Sequence, residues 1–391
     1  VRDRCVPGAV VLSGTRWDTS GGGQRPRKLA EALGACGLKV VFVEQFDHAW
    51  SHSDPPEGVT VTSASELFAG ADRYRQDYDR RHRAVLTDAL RRKLGVVEPV
   101  LAVNCDYSRL SLEHMQSLGQ LGARCVYDVM DDWEGLCGGE GGPDDNAGYS
   151  QQTEEAIISS ADMVTASART LAEHLKGKFG LQDRPVVVPN SLDPSFLMRP
   201  VRGRPPELPD RGPIVGYVGS IWGNWQDWET LLAVARSRPS WQIVLVGGEP
   251  EECAYRGRAA AAFTRQPNVQ FIPEVPQTRL HRYIDAFDVS IIPFKPGGVS
   301  RFVHPLKIYD YLARACPVVR CPRAEIGGYQ YLRLAEEPRE WLGAVGEAMS
   351  EPIDPDVVFD FLRHRTWSRA VDRLLRAAGL EQLVGPEGRH L

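Results

Sequence analysis

Two doubly wound α/β domains in tandem are what the sequence predicts, and three observations predict them. Short apolar runs of the kind buried in parallel sheets alternate with helical patterns along nearly the whole chain. A Pro- and Arg-dense stretch without periodicity interrupts the alternation near residue 200, after which it restarts. The length of 391 residues is too great for one ordinary core and fits two domains of typical size. The expected division is 1–199, 200–365, and a helix and tail over 366–391.

Residues 8–13 (GAVVLS) form the first apolar run, which ends in the polar, Gly-rich loop GTRWDTSGGGQRP. From Gln24 to Cys36 apolar residues recur at Leu29, Ala32 and Leu33 with helical spacing; Gly37 closes that helix and Val40 to Val43 is a second strand. Glu98 to Val103 and Arg124 to Val129 read as further strands, with helices at Arg80–Leu94 and Leu110–Leu121. The acidic, Gly-rich DDWEGLCGGEGGPDDNAG is expected to be a mobile loop. Helix, strand, helix and strand follow at Thr153–Ser160, ADMVTAS, Ala168–Lys178 and PVVVPNS, before the linker LDPSFLMRPVRGRPPELPDRGP. The second half runs through PIVGYVGS (strand), DWETLLAVARS (helix), WQIVLVGG (strand), Glu251–Phe263 (helix), NVQFI (strand), TRLHRYIDAF (helix) and DVSIIPF (strand). HPLKIYDYLARA and PVVR add a helix and a strand, and helices at Glu340–Met349 and Trp367–Ala378 close the chain. Tandem sheets of this kind bind ligands between them, at the carboxyl ends of their strands.

Composition narrows the function. With 42% hydrophobic and 25% charged residues and a net charge of -5, the chain offers no global electrostatic reason to bind nucleic acid or anionic lipid. No apolar window is long enough to span a bilayer, so a cytoplasmic location is expected, with membrane contact at most peripheral. The eight cysteines include no C-x-x-C pair and no zinc spacing, and are expected to be reduced. Gly21-Gly22-Gly23 is not a G-x-G-x-x-G fingerprint, which leaves a nicotinamide cofactor unsupported. No cofactor and no metal are expected.

The stretch RFVHPLKIYDYLARACPVV, residues 301–319, concentrates the chemistry. Pro305 suits the first position of a helix and Pro317 ends it before an apolar strand. Lys307 and Asp310 share one helix face; free N–H groups and Lys307 favour a phosphate, and Asp310 can take two ribose hydroxyls. The same pair also fits an ordinary i,i+3 ion pair on a solvated face. Gly219 and Ser220, after the strand PIVGYV, allow the backbone to approach a diphosphate. Trp222, Trp225 and Trp228 recur at spacing three, with Trp222 the candidate to stack on a sugar. Asp131 and Asp132 end a first-domain strand at the crevice, where a carboxylate can act as general base or orient an acceptor, or simply cap the loop.

The ordered set YDVMDDW, ADMVTASARTLAEHL, VVVPNSLDPSFL, GYVGSIWGNWQDWETLLAVA, NVQFIPEVPQTRLHRYIDAFDVSIIPF and HPLKIYDYLARACPVV resembles the GT-B glycosyltransferases, more closely the family 4 (group 1) type. The resemblance implies two Rossmann-like domains facing a cleft, with a C-terminal helix crossing back to the first. It also implies transfer of a sugar from a UDP-, GDP- or dTDP-sugar, with retention, to a hydroxyl or amine of a small-molecule, glycan or lipid-linked acceptor. Donor contacts would come from Gly219, Ser220, Trp222, Glu274, Val275, Arg301, His304, Pro305, Leu306, Lys307 and Asp310. Acceptor contacts would come from Arg16, Trp17, Asp18, Gly22 and Gly23. Asp131, Asp132 and Lys307 would act in catalysis, Lys307 on the leaving phosphate. The sequence departs from the family twice: Asp310 stands for its ribose-binding Glu with Phe302 where the partner Glu falls, and the Arg and Lys that follow the second domain's first strand are missing. Those departures keep two other readings in view, a sugar-nucleotide epimerase of the same architecture and a non-catalytic partner protein. For Arg301, a phosphate contact and a solvated loop arginine both fit.

Overall fold

The computed structural model describes residues 7–18, 25–45, 54–67, 99–138, 149–197, 204–221, 225–322, 331–351 and 353–384. The helix expected at 80–94 and residues 139–148 of the Gly-rich segment lie outside them.

The first domain contains β1 (Gly8–Ser13), α1 (Arg25–Ala35), β2 (Lys39–Glu44), β3 (Val59–Ser63), α2 (Ala64–Leu67), β4 (Pro99–Cys105), α3 (Arg109–Gln120) and β5 (Arg124–Val129). It continues through α4 (Trp133–Gly138), α5 (Gln151–Ser160), β6 (Met163–Ala166), α6 (Arg169–Phe179) and β7 (Val186–Val187). Its strands pair in parallel in the order β3-β2-β1-β4-β5-β6-β7. The period of two explains why GAVVLS is apolar throughout: Ala9 and Val11 enter one apolar layer, Val10 and Leu12 the other. Side-chain caps mark the starts of α3, α5 and the helices that begin at Trp228 and Pro355, as where the Ser108 hydroxyl accepts from the Ser111 amide ahead of α3.

The second domain repeats the plan with β8 (Ile214–Val218), α7 (Trp228–Ser237), β9 (Gln242–Val246), α8 (Pro250–Ala254), α9 (Arg258–Phe263), β10 (Val269–Ile272), α10 (Gln277–Ile284) and β11 (Val289–Pro293). After these come α11 (Lys307–Ala313), β12 (Val318–Cys321), β13 (Leu332–Leu334), α12 (Pro338–Ser350), α13 (Pro355–Leu362) and α14 (Trp367–Ala377). The sheet order is β10-β9-β8-β11-β12-β13, again parallel. Each sheet reverses its strand order beside its first strand, β1 against β4 and β8 against β11, and ligand crevices open at such switch points.

Two stretches join the halves side by side. On the first, Val188 belongs to the first domain's core and Leu192 to the second's. On the second, α14 leaves the second domain and buries Trp367, Val371, Leu374 and Leu375 against Leu29 and Leu33 of α1. The Leu192 amide donates to the Arg365 carbonyl at 2.7 Å, and Leu192 forms a bridge with Thr366, so the two crossings are fastened to each other.

Candidate functional site

The carboxyl ends of β8 and β5 and the loop ahead of α11 converge on one cavity of about 190 Å³ between the domains. Asp131 and Leu136 line it from the first domain, and Tyr217, Ser220, Trp225, Phe294, Val299, Val303, Pro305 and Lys307 from the second. Most of this lining is apolar, so the few polar groups in it are conspicuous.

Lys307 heads α11. That helix starts two residues later than Pro305 suggests: Leu306 is its N-cap and the turn before it closes through Ile308 N to Pro305 O (3.3 Å) and Tyr309 N to Leu306 O (3.0 Å). With only seven residues it has a modest dipole, and the positive charge of the site is the ammonium itself. Lys307 does not pair with Asp310 as an ordinary i,i+3 bridge. Its Nζ donates to the Tyr217 hydroxyl at 2.9 Å and lies 4.3 Å from the centre of the Tyr217 ring. This carries it to the Gly219 turn. Gly219 has φ +131°, which calls for glycine, and a Cβ there would stand 2.5 Å from Lys307 Nζ, so any larger residue would displace the ammonium. The Ser220 hydroxyl is buried in the same place without a hydrogen-bond partner among the described residues. A glycine turn, an orphaned hydroxyl and a cation thus meet at one point.

Trp225 and Phe294 are placed by a short antiparallel contact in which Lys295 N donates to Trp225 O and Asp227 N to Pro293 O, both at 2.7 Å. Trp225 therefore lines the cavity, whereas Trp228 is core. Trp222 lies outside the described residues, as do Gly22 and Gly23 of the acceptor loop. Trp17 is fully buried, edge-on to Phe42 at 5.1 Å and under the Arg27 guanidinium at 4.6 Å. Its ring is a packing element and not an acceptor platform, because Glu44 anchors its amide at 2.6 Å and pulls the residue inward. Arg16 is half-buried and Asp18 exposed, with Asp18 3.7 Å from Arg27. Glu274 is exposed and Val275 leans on the second core, both just past β10. Arg301 is exposed, its guanidinium 5.6 Å from the Phe302 ring.

The acidic groups divide by environment. Asp131 is pushed up to about 7 by burial, with Arg25 opposing and Asp132 adding to the shift. Asp132 lies 3.6 Å from His174, whose ring stacks on Phe302 with centroids 4.4 Å apart. Gly135 is needed for this approach of the domains, since a Cβ there would stand 2.5 Å from Val299. Asp310 is likewise pushed up to about 7 by burial and by Asp193, against the pull of Lys28 and Lys307. Lys28 Nζ bonds Asp193 at 2.6 Å and Glu31 at 3.0 Å, so a first-domain cation reaches the neighbourhood of the second-domain Asp310.

His304 and Pro305 are buried, and Leu306 packs against the first domain's core. Burial, then Arg25 and Arg320, lower the His304 ring to about 3, which keeps it neutral. Its carbonyl accepts from Asn190 Nδ2 at 2.6 Å. Asn190 Oδ1 accepts from Arg25 Nη1 at 3.0 Å, and Arg25 grips Asp128 through Nε (2.6 Å) and Nη2 (2.7 Å). Sequence reasoning passed over Arg25, Lys28, Asp128, His174, Asn190, Asp193 and Tyr217. None lies in a local motif that names a ligand, and more than a hundred positions separate Arg25 from Asp128 and Asn190 from His304.

Comparison with known proteins agrees with this layout. Residues 212–350 match the family described as glycosyl transferases group 1. A Bacillus subtilis (strain 168) protein named as a teichuronic acid biosynthesis glycosyltransferase, TuaH, is 24% identical over 277 residues, which are 66% of this chain and 67% of that protein. A sucrose-phosphate synthase from Thermosynechococcus elongatus superimposes with a TM-score of 0.64 at 19% identity, covering 98% of this chain and 96% of its own. A glycosyltransferase from Rickettsia africae ESF-5 gives 0.68 at 9% identity over 98% and 100%. The chain thus has the two-domain GT-B fold of these solved structures, and its second domain, which carries Lys307 and Asp310, matches the group 1 glycosyl transferases over residues 212–350.

Proposed function

We propose that the protein transfers a sugar from a nucleoside diphosphate to a hydroxyl or amine acceptor, with retention and without a metal. The observation that carries this is the placement of Lys307 Nζ at the Gly219 turn, in a cavity whose first-domain wall holds Asp131. The cavity is smaller than the ~300–1,000 Å³ of sites that enclose a whole drug-sized ligand, so it suits the reacting end of the donor, with the nucleotide running out along the second domain.

In this reading the bond from the anomeric carbon to the phosphate oxygen breaks while the acceptor oxygen bonds to the same face. The acceptor's proton passes to the departing phosphate or to Asp131. Lys307, the Gly219 turn and Ser220 take up the charge that develops on the phosphate, where preorganised cations and donors count most. Asp310 receives the ribose hydroxyls. Lys307 fills the charge-neutralising place that a metal takes in other transferases; activity lost in EDTA and restored by Mn²⁺ would contradict that part. Membrane contact, where the acceptor is lipid-linked, is peripheral, since no helix among the described residues is long and apolar enough to cross a bilayer.

Calorimetric titration with UDP, GDP and dTDP tests the reading, and no binding of any of them at millimolar concentration would sink it. A non-catalytic reading draws on one observation, the Phe302 ring packed on His174 where the family has a second acid. Nucleotide binding with neither transfer nor hydrolysis of any donor would favour it. Conversion of a donor incubated alone into its epimer would instead point to an epimerase.

A further inference from the structure

We infer that Asn190 and Arg25 are positioning residues that set the donor-binding loop of the second domain from within the first. The inference rests on the proposed nucleotide-sugar reading and adds to it a link between the two halves of the site. The link is a buried chain of polar groups. Arg25 and Asp128 form a two-pronged pair with 1% and 0% of their side chains exposed, and the Thr165 hydroxyl donates to Asp128 Oδ1 at 2.5 Å. The third guanidinium nitrogen, Nη1, spends its bond on Asn190 Oδ1, and Asn190 Nδ2 then donates to the His304 carbonyl.

The side-chain amide serves both ends of this chain with separate atoms, its oxygen accepting from the guanidinium and its NH₂ group donating to the carbonyl. The guanidinium also fixes which way the amide points: an oxygen facing Arg25 leaves the NH₂ group facing His304. Two residues lie between His304 and Lys307, and one of them is Pro305, whose ring locks φ. Just beyond, the amides of Ile308 and Tyr309 are committed to the Pro305 and Leu306 carbonyls. A carbonyl held at His304 therefore leaves α11 little freedom to pivot, and Lys307 and Asp310 are held with it. Arg25 also acts on Asp131 through space. One first-domain guanidinium thus addresses both the acceptor-side carboxylate and the donor-side helix.

The experiment compares Asn190→Asp, Asn190→Ala and Arg25→Lys with the wild type. It measures thermal midpoint, calorimetric affinity for whichever of UDP, GDP or dTDP the wild type binds most tightly, and donor and acceptor KM where turnover is found. Asn190→Asp is the decisive variant. It keeps an acceptor for Arg25 and loses the donor to His304, so nucleotide affinity should fall about tenfold, by more than its own drop in midpoint accounts for. Donor KM should rise with acceptor KM unchanged. Asn190→Ala and Arg25→Lys should lose affinity as well, and the Arg25→Lys, Asn190→Ala double variant should lose little more than either alone, because both break one chain. Affinity within about twofold of the wild type in both Asn190 variants would overturn the inference. So would affinity that falls only in step with the midpoint across the set, which is what a purely structural role produces. A wild type that binds none of the three nucleotides fails the functional reading itself, a result separate from either.

Discussion

The ring of His174, on the first domain's α6, stacks on the ring of Phe302, in the second domain's loop ahead of α11, with centroids 4.4 Å apart and planes 28° from parallel. The contact spans the two domains and joins α6 to the loop that leads to Lys307. Stacked aromatic pairs contribute about 0.5–1.5 kcal/mol beyond simple burial. Phe302→Ala should lower stability by at least that amount, since it also removes the ring's burial against the first domain's core, and raise donor KM, because the loop loses its rest on the first domain. Thermal denaturation together with donor titration measures both, and a variant unchanged in each would show the stack to be incidental.

Lys307→Ala should remain folded, since the side chain lies at the cleft and its hydrogen bond among the described residues is to Tyr217, while turnover drops by about 10²–10³, the usual effect of losing one charge-stabilising group. Gly219→Ala should reproduce much of that loss with Lys307 intact, because the added Cβ needs the space of the ammonium. Circular dichroism and initial rates decide the matter. A Lys307→Ala enzyme within threefold of the wild-type rate would remove it from the chemistry.

Asp131 and Asp310, both pushed up to about 7 chiefly by burial, give pH a definite sign. Their folded values lie above the ordinary carboxyl value near 4, so the stability they confer is complete below about pH 4 and is lost as pH rises through about 7. Asp131→Asn and Asp310→Asn should each flatten the fall in thermal midpoint between pH 5 and 8, and each variant should be the more stable protein at pH 8. Activity moves the other way: a base at Asp131 gains as pH rises through about 7, and Asp131→Asn should lose that limb of the profile. Midpoints that fall as steeply in the variants as in the wild type would refute the assignment.

Ala315 closes α11 with φ +50°, in the left-handed region that costs a residue with a Cβ about 1 kcal/mol or more. Ala315→Gly should therefore raise stability by about 1 kcal/mol and leave nucleotide affinity alone, as read by thermal denaturation and calorimetry. A drop in stability would mean that the Ala315 methyl packs too well to lose.

The parts of the site that could be read from the sequence are those written in consecutive residues. Lys307 and Asp310 share a helix whose ends are punctuated by prolines; Gly219 and Ser220 follow an apolar strand; Asp131 ends another. The alternation that predicted two parallel sheets survived because central strands such as β1, β8 and β11 are buried along their whole length and are almost wholly apolar. What the chain hid was made by folding over long separations. Asn190 reads as part of an ordinary turn until His304, 114 residues on, is laid against it. Trp17 misled for a related reason: an aromatic in a Gly-rich loop looks like a ligand platform, but the carboxylate of Glu44, on the neighbouring strand, draws it into the interior. Helix α11 began later than Pro305 implied because Leu306 is taken by the first domain's core.

The double crossing at Leu192 and Thr366 has a mechanical meaning. Two rods joined by one flexible cord can twist, slide and part; joined by two cords knotted together, they keep a single easy motion, a swing about the knot. With Leu192 N tied to Arg365 O at 2.7 Å, the two crossings here are knotted in that way, and Asn190 sits two residues from the knot.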